Sequence, residues 1–139
     1  MNTEVKAFLN RPRNLLAEIK RTQSQIDGLR QGMLPSGIRY DLDKVISSPS
    51  DPMPQYAARV DELQEYLNAL RVAYWSALDA ITNAAVQLND SEQLVIMLRY
   101  VSQRRWPQVA AEMGQTERWM FMIHRRATKN LEKIIKGVQ

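Results

Sequence analysis

The chain has 139 residues, 45% hydrophobic and 24% charged side chains, and a formal net charge of +4, which suits one domain or one small domain with an appendage. Five glycines, two phenylalanines and no dense β-branched run argue against an all-β fold, and the lack of cysteine excludes disulfides, thiolate chemistry and cysteine-type zinc sites. His124 has no second histidine to join it in a metal site, and no Ser–His relay can be assembled with parts to spare.

Apolar runs reach four or five residues, far short of the ~20 needed to cross a bilayer. Met1-Asn2-Thr3-Glu4 lacks the basic-then-apolar order of a secretion signal. These features set the expectation of a cytoplasmic all-α protein that is not an enzyme and uses no cofactor, metal or membrane. The charge is uneven. Residues 1–90 hold ten basic and eleven acidic side chains, a net of −1, whereas residues 91–139 hold nine basic and four acidic, a net of +5. A basic end on a neutral body suits a polyanion-binding head, although surface Lys and Arg also serve plain solubility.

The first predicted helix carries Phe8, Leu15, Ile19, Ile26, Leu29 and Met33 on one stripe, with Thr22 in register. Proline loses a hydrogen bond deep in a helix, so the continuous helix is expected to begin at Pro12, leaving residues 3–10 as a separate turn or kinked extension. A loop follows over about 34–53, with Pro35, Pro49 and Pro52 and several serines. In residues 54–88, Tyr56, Val60, Leu63, Leu67, Leu70, Tyr74, Ala77, Ile81, Ala84 and Leu88 alternate strictly between spacings of four and three. That is the 3.5-residue period of a coiled-coil seam. Asp51 is placed to cap this helix, and Pro52 or Pro54 fits its first turn. Residues 1–88 thus read as a long antiparallel helical hairpin, though two copies of the chain would bury the same seam. Asp61, Glu62 and Glu65 lie on the face opposite the seam, where solvated charge explains them.

Asn89-Asp90-Ser91 ends this helix and offers a new cap. In residues 89–139 the period changes and three short helices are expected. Leu94, Met97, Leu98 and Val101 mark the first, which ends near Ser102-Gln103. Trp106, Pro107, Val109, Ala110 and Met113 mark the second, which Gly114 can end in the left-handed conformation. Thr116 can cap the third, with Met120, Ile123, Ala127 and Leu131 inward. A helix with small Ala110, a turn at Gly114, a cap at Thr116 and a second helix is the helix-turn-helix layout.

Leu98-Arg99-Tyr100-Val101, Trp106, Val109-Ala110, Gly114, Thr116 and Ile123-His124-Arg125-Arg126-Ala127 resemble, without a gap, the fourth region of bacterial sigma factors, which binds the promoter −35 element through its last helix. Nearly the whole chain, including Met33-Leu34-Pro35-Ser36 and Asp43-Lys44-Val45, resembles phage and prophage regulators of Gram-positive bacteria, the ArpU- and RinA-like late transcription regulators and their relatives. That resemblance implies a sequence-specific, double-stranded-DNA-binding transcription regulator, with bacterial RNA polymerase and a second copy of the chain as further partners. It places Arg104, Arg105, Gln108, Thr116, Glu117, Arg118, Met122, Arg125, Arg126 and Lys129 on the DNA. Arg104 and Arg105 would meet phosphate at the start of the second helix. Arg126 and Lys129 would clamp the backbone, and His124 would be a hydrogen-bonded histidine near the core.

The chain also departs from that pattern. Arg105 stands where relatives tend to have a capping serine, and Trp119, Phe121 and Met122 stand where polar or basic side chains are usual. Arg125 replaces a frequent glycine, and Thr128 an apolar residue. Trp119-Met120-Phe121-Met122-Ile123 cannot all face inward on one helix. Its outer members contact thymine methyls, pack on the hairpin or on a second subunit, or bind another protein such as a polymerase subunit, with Trp119 and Phe121 favoured for the last two. Two rival functions follow: a small terminase-like DNA-packaging subunit, and a protein-interaction adaptor that has lost base reading.

Overall fold

A computed structural model describes residues 1–33 and 52–137, and these form helices with no strand among them. The helices are α1 (Thr3–Met33), α2 (Met53–Ala85), α3 (Asp90–Ile96, continued by a π-helical turn Met97–Val101), α4 (Trp106–Met113) and α5 (Glu117–Ile135). Of the expected loop over about 34–53, residues 34–51 lie outside the described residues, and with them the Asp51 cap. Two compact units divide the chain: Met1–Leu16 with Val72–Gln139, and Ala17–Arg71. The division expected at residue 88 therefore falls within the first of these.

In the unit Ala17–Arg71, Ile26 is fully buried against Val60, Leu63 and Leu67, with Ile19 and Leu29 packed alongside. Here the apolar face is as narrow as the spacing predicts, and the side chains between those positions are largely exposed. Thr22 fills the gap in the α1 stripe at 2% exposure, which its hydroxyl tolerates by donating to the Glu18 carbonyl at 2.9 Å. Tyr66 donates to the Glu18 carboxylate at 3.2 Å. Gly32 leaves room for the Tyr56 ring, which a Cβ would approach to 3.3 Å.

The larger unit holds the main core. Val5 and Leu9 of α1, Ile81 and Ala85 of α2, Val95 and Ile96 of α3, Val109 of α4, and Met120, Ala127 and Leu131 of α5 are each at most 1% exposed. α3 packs on α5 and α4, and α4 packs on α5. Because α2 is enclosed more widely here, Leu78 and Ala85 join the seam positions Ala77, Ile81, Ala84 and Leu88 as buried residues.

Two expectations are corrected. Helix α1 does not begin at Pro12; it starts at Thr3 and runs through that proline. One backbone hydrogen bond is forgone, but Val5, Leu9 and Pro12 are buried on one side. Burial of Val5 and Leu9 alone contributes about 3–5 kcal/mol, enough to hold the first turns in line. In the first short helix Leu94 faces out at 41% exposure, and the buried side chains are Glu92, Val95, Ile96 and Tyr100. The π turn, closed by Ser102 N–H donating to the Met97 carbonyl at 2.9 Å, widens the last turn so that Met97, Leu98 and Val101 still touch the core.

Candidate nucleic-acid interface

The segment joining α3 to α4 ends with Arg104 N–H donating to the Leu98 carbonyl at 3.0 Å, after Gln103 has taken a left-handed backbone with φ +57°. Arg105 is extended and precedes the first turn of α4. A guanidinium has only donors, so it cannot cap that turn. Gln108 reaches back instead, its side-chain carbonyl accepting from Arg105 N–H at 3.2 Å, one half of a capping box. Gln108 thus supplies the reciprocal half of the box, and position 105 offers no side-chain acceptor for the first-turn amides of α4. Gly114 ends α4 at φ +67°, and its neighbour Gln115 donates to the Ala110 carbonyl at 3.0 Å. Thr116 then caps α5, its hydroxyl accepting from Trp119 N–H at 3.1 Å.

Helix α5 carries two opposed stripes. Met120, Ile123, Ala127 and Leu131 are buried; Arg118, Met122, Arg125 and Lys129, set at the same four- and three-residue steps, face out. Trp119 and Phe121 flank the outer stripe on opposite edges. Phe121 leans on Trp106 with ring centres 5.1 Å apart, while Trp119, at 46% exposure, borders a hollow of about 360 Å³ with Asp90, Ile123 and Arg126. Thr128 is buried, its hydroxyl donating to the Arg125 carbonyl at 2.9 Å.

Arg104 pairs with Glu112 at 3.1 Å, and Lys136 pairs with Glu132 at 2.9 Å. Hydrogen bonds from Lys136 and from Asn2 hold the Glu132 carboxyl below its ordinary range. Among the described residues, Arg105, Arg118, Arg125, Arg126 and Lys129 have no acidic partner within 4.0 Å. Buried Glu92 accepts from Asn130 Nδ2, tying α3 to the middle of α5.

His124 lies behind this face, not on it. Its Nε2 shares a 2.7 Å hydrogen bond with the Tyr100 hydroxyl, its ring stacks on Tyr100 at 5.8 Å, and Trp106 meets it edge-on at 4.8 Å. Arg99 lies over Trp106, 4.4 Å from the ring, and donates to the Arg104 carbonyl at 2.9 Å. Burial, aided by the Arg99 charge and the terminal amine, pushes His124 down to about 4, so it is neutral at pH 7. Burial also pushes the Tyr100 phenol up. The cluster fixes the π turn, α4 and α5 against one another.

Of the residues expected on DNA, Arg118, Met122, Arg125 and Lys129 share one open face, with Arg126 at its edge. Arg105 and Glu117 are exposed at the starts of α4 and α5. Arg104, Gln108 and Thr116 are already engaged, by Glu112, by a backbone amide and by a helix cap. Three cationic or polar neighbours of Arg105 were absent from the expected set: Arg99, Arg13 and Asn10. In the sequence Arg99 stands out only within Leu98-Arg99-Tyr100-Val101, with no role of its own, and nothing in the sequence joins Arg13 to it. No group of three or more His, Asp or Glu side chains among the described residues is placed to hold a metal ion, and no described helix is long and apolar enough to cross a membrane. No protein-family model matches the chain, and no curated protein or solved structure shows significant similarity to it.

Proposed function

We propose that the protein is a phage-type DNA-binding transcription regulator, not an enzyme, in which α4, the Gly114 turn and α5 form a helix-turn-helix and α5 enters the major groove of duplex DNA. The observation that carries this reading is the outer stripe of α5, where Arg118, Arg125 and Lys129 stand open around Met122 without acidic partners among the described residues. Such a stripe offers point and fork donors to phosphates and guanine edges, with an apolar contact for a thymine methyl. Arg105 adds a phosphate contact at the start of α4. The remaining long helices form an antiparallel hairpin that serves as a platform for self-association or polymerase contact. Exposed Val72 and Trp75 on α2, at 71% and 64%, support that role.

Fluorescence anisotropy with a duplex across a salt series tests the reading. Neutralisation of ~4–6 phosphates gives a slope of log affinity against log salt of about −4 to −5. Absence of binding at low salt overturns it. An adaptor function is favoured by one feature, the half-exposed Trp119 beside the hollow at the start of α3. In that case Trp119→Ser abolishes partner binding and leaves DNA affinity unchanged. Light scattering separates a regulator, expected as a monomer or dimer, from a packaging subunit assembled as a ring.

A further inference from the structure

A cleft of about 200 Å³ opens where the first turns of α1 meet the start of α4, and its charged lining is entirely cationic: Arg13 from α1, Arg99 from the π turn and Arg105 at the head of α4. Asn10 and Gln103 supply the polar remainder, and no carboxylate among the described residues borders it. Its volume is below the ~300–1,000 Å³ of sites that enclose a whole small molecule, yet equals roughly six waters of liquid. It therefore fits a single oxyanion group presented by a larger body.

Part of the lining is also pre-set. Arg99 is held by the Trp106 ring and by the Arg104 carbonyl, with guanidinium donors to spare. Arg104, the one neighbouring arginine with a carboxylate partner, is turned to Glu112. Gln103 keeps a backbone conformation that non-glycine residues rarely adopt, anchored by its side-chain amide donating to the Tyr100 carbonyl at 3.0 Å. Three arginines line it with no carboxylate among the described residues of the lining to neutralise them, and a phosphate oxyanion is the chemistry that arginine forks match.

We propose that this cleft takes one backbone phosphate of the bound duplex, which makes the N-terminal helix, through Arg13, part of the DNA interface. The proposal rests on the DNA-binding reading above. It adds that the chain's beginning, far in sequence from α5, contributes to affinity but not to base choice.

The test compares the full-length chain with Arg13→Ala and Arg11→Ala on a fluorescent duplex over a salt series, with folding checked by thermal melting. Arg11 is exposed on the same helix and does not line the cleft, so it controls for net charge. Arg13→Ala is expected to weaken binding about tenfold at low salt and to reduce the salt slope by about one, equally for specific and random duplexes. Arg11→Ala is expected to match the wild type. Wild-type binding with an unchanged Arg13→Ala overturns the cleft alone, as does an equal loss in both variants. No binding by the wild type overturns the DNA reading and this proposal together. If millimolar inorganic phosphate raises the melting temperature of the wild type but not of Arg13→Ala, while both bind duplex equally, the cleft serves a free oxyanion and the proposal fails.

Discussion

Acidification puts the His124 cluster to a quantitative test. In the native protein the imidazole is held near 4 by burial and by the Arg99 charge, whereas in the unfolded chain it titrates near 6.5. Between those values the unfolded state binds more protons than the native one, so stability rises with pH across the window. On acidification the loss begins near pH 6.5 and is complete below about 4. The full shift corresponds to about 3 kcal/mol; part of the ring meets solvent, and screening there brings the expected loss to about 2 kcal/mol. Urea unfolding at successive pH values, followed by circular dichroism, measures this for the wild type against His124→Gln. The variant lacks the titrating ring, so it subtracts the contribution of carboxylates such as Glu132, which hydrogen bonds hold low. The wild type should lose about 2 kcal/mol more than the variant between pH 6.5 and 4. Parallel curves, or an imidazole that NMR shows titrating near 6.5, refute the reasoning.

Other perturbations have equally definite signs. Gly114→Ala should cost about 1 kcal/mol in urea unfolding, because the residue sits at φ +67° although a Cβ there meets nothing within 4 Å. Gly28→Ala, in the open interior of α1, should instead stabilise by about 0.5–1 kcal/mol in the same assay. Leu9→Ala should cost about 3 kcal/mol, since Leu9 is 1% exposed in the main core; a loss under 1 kcal/mol would show the first turns of α1 detached from that core. Glu92→Ala should cost about 2 kcal/mol by leaving the Asn130 amide short of an acceptor, and Glu92→Gln should cost less.

Local signals carried far into this fold. The four–three spacing of α2 located the buried seam from Val60 to Leu88, because a two-helix contact selects residues by periodicity alone. Asn89, Gly114 and Thr116 were readable as a cap, a left-handed stop and a cap, since each acts on backbone groups within a few residues of itself. Departures arise where distant groups decide. Val5 and Leu9 precede the stripe read from Phe8 onward, and their burial among α2, α3 and α5 residues shows why a helix continues through Pro12. The inward face of α3 lies at Val95 and Ile96, not Leu94, and the π turn that follows keeps Met97, Leu98 and Val101 against the core, a backbone widening that no residue type announces. Gln108 was expected to face DNA, and its side-chain carbonyl is spent on the backbone N–H of Arg105, a contact three residues back that a helix N3 glutamine can make. The spacing of Met120, Ile123, Ala127 and Leu131 implied its complement, the open stripe of Arg118, Met122, Arg125 and Lys129. The cationic cleft had no sequence signal, as it depends on Arg13 and Arg105 meeting across ninety residues of chain.

Backbone NMR of the chain titrated with duplex DNA reports most directly on whether α5 is the reading helix. If α5 enters the groove, amide shifts concentrate on residues 105–106 and along 117–129, and the Arg118, Arg125 and Lys129 side chains respond with them. Perturbations confined to α2, or absent from α5 while duplex binds, would contradict that entry.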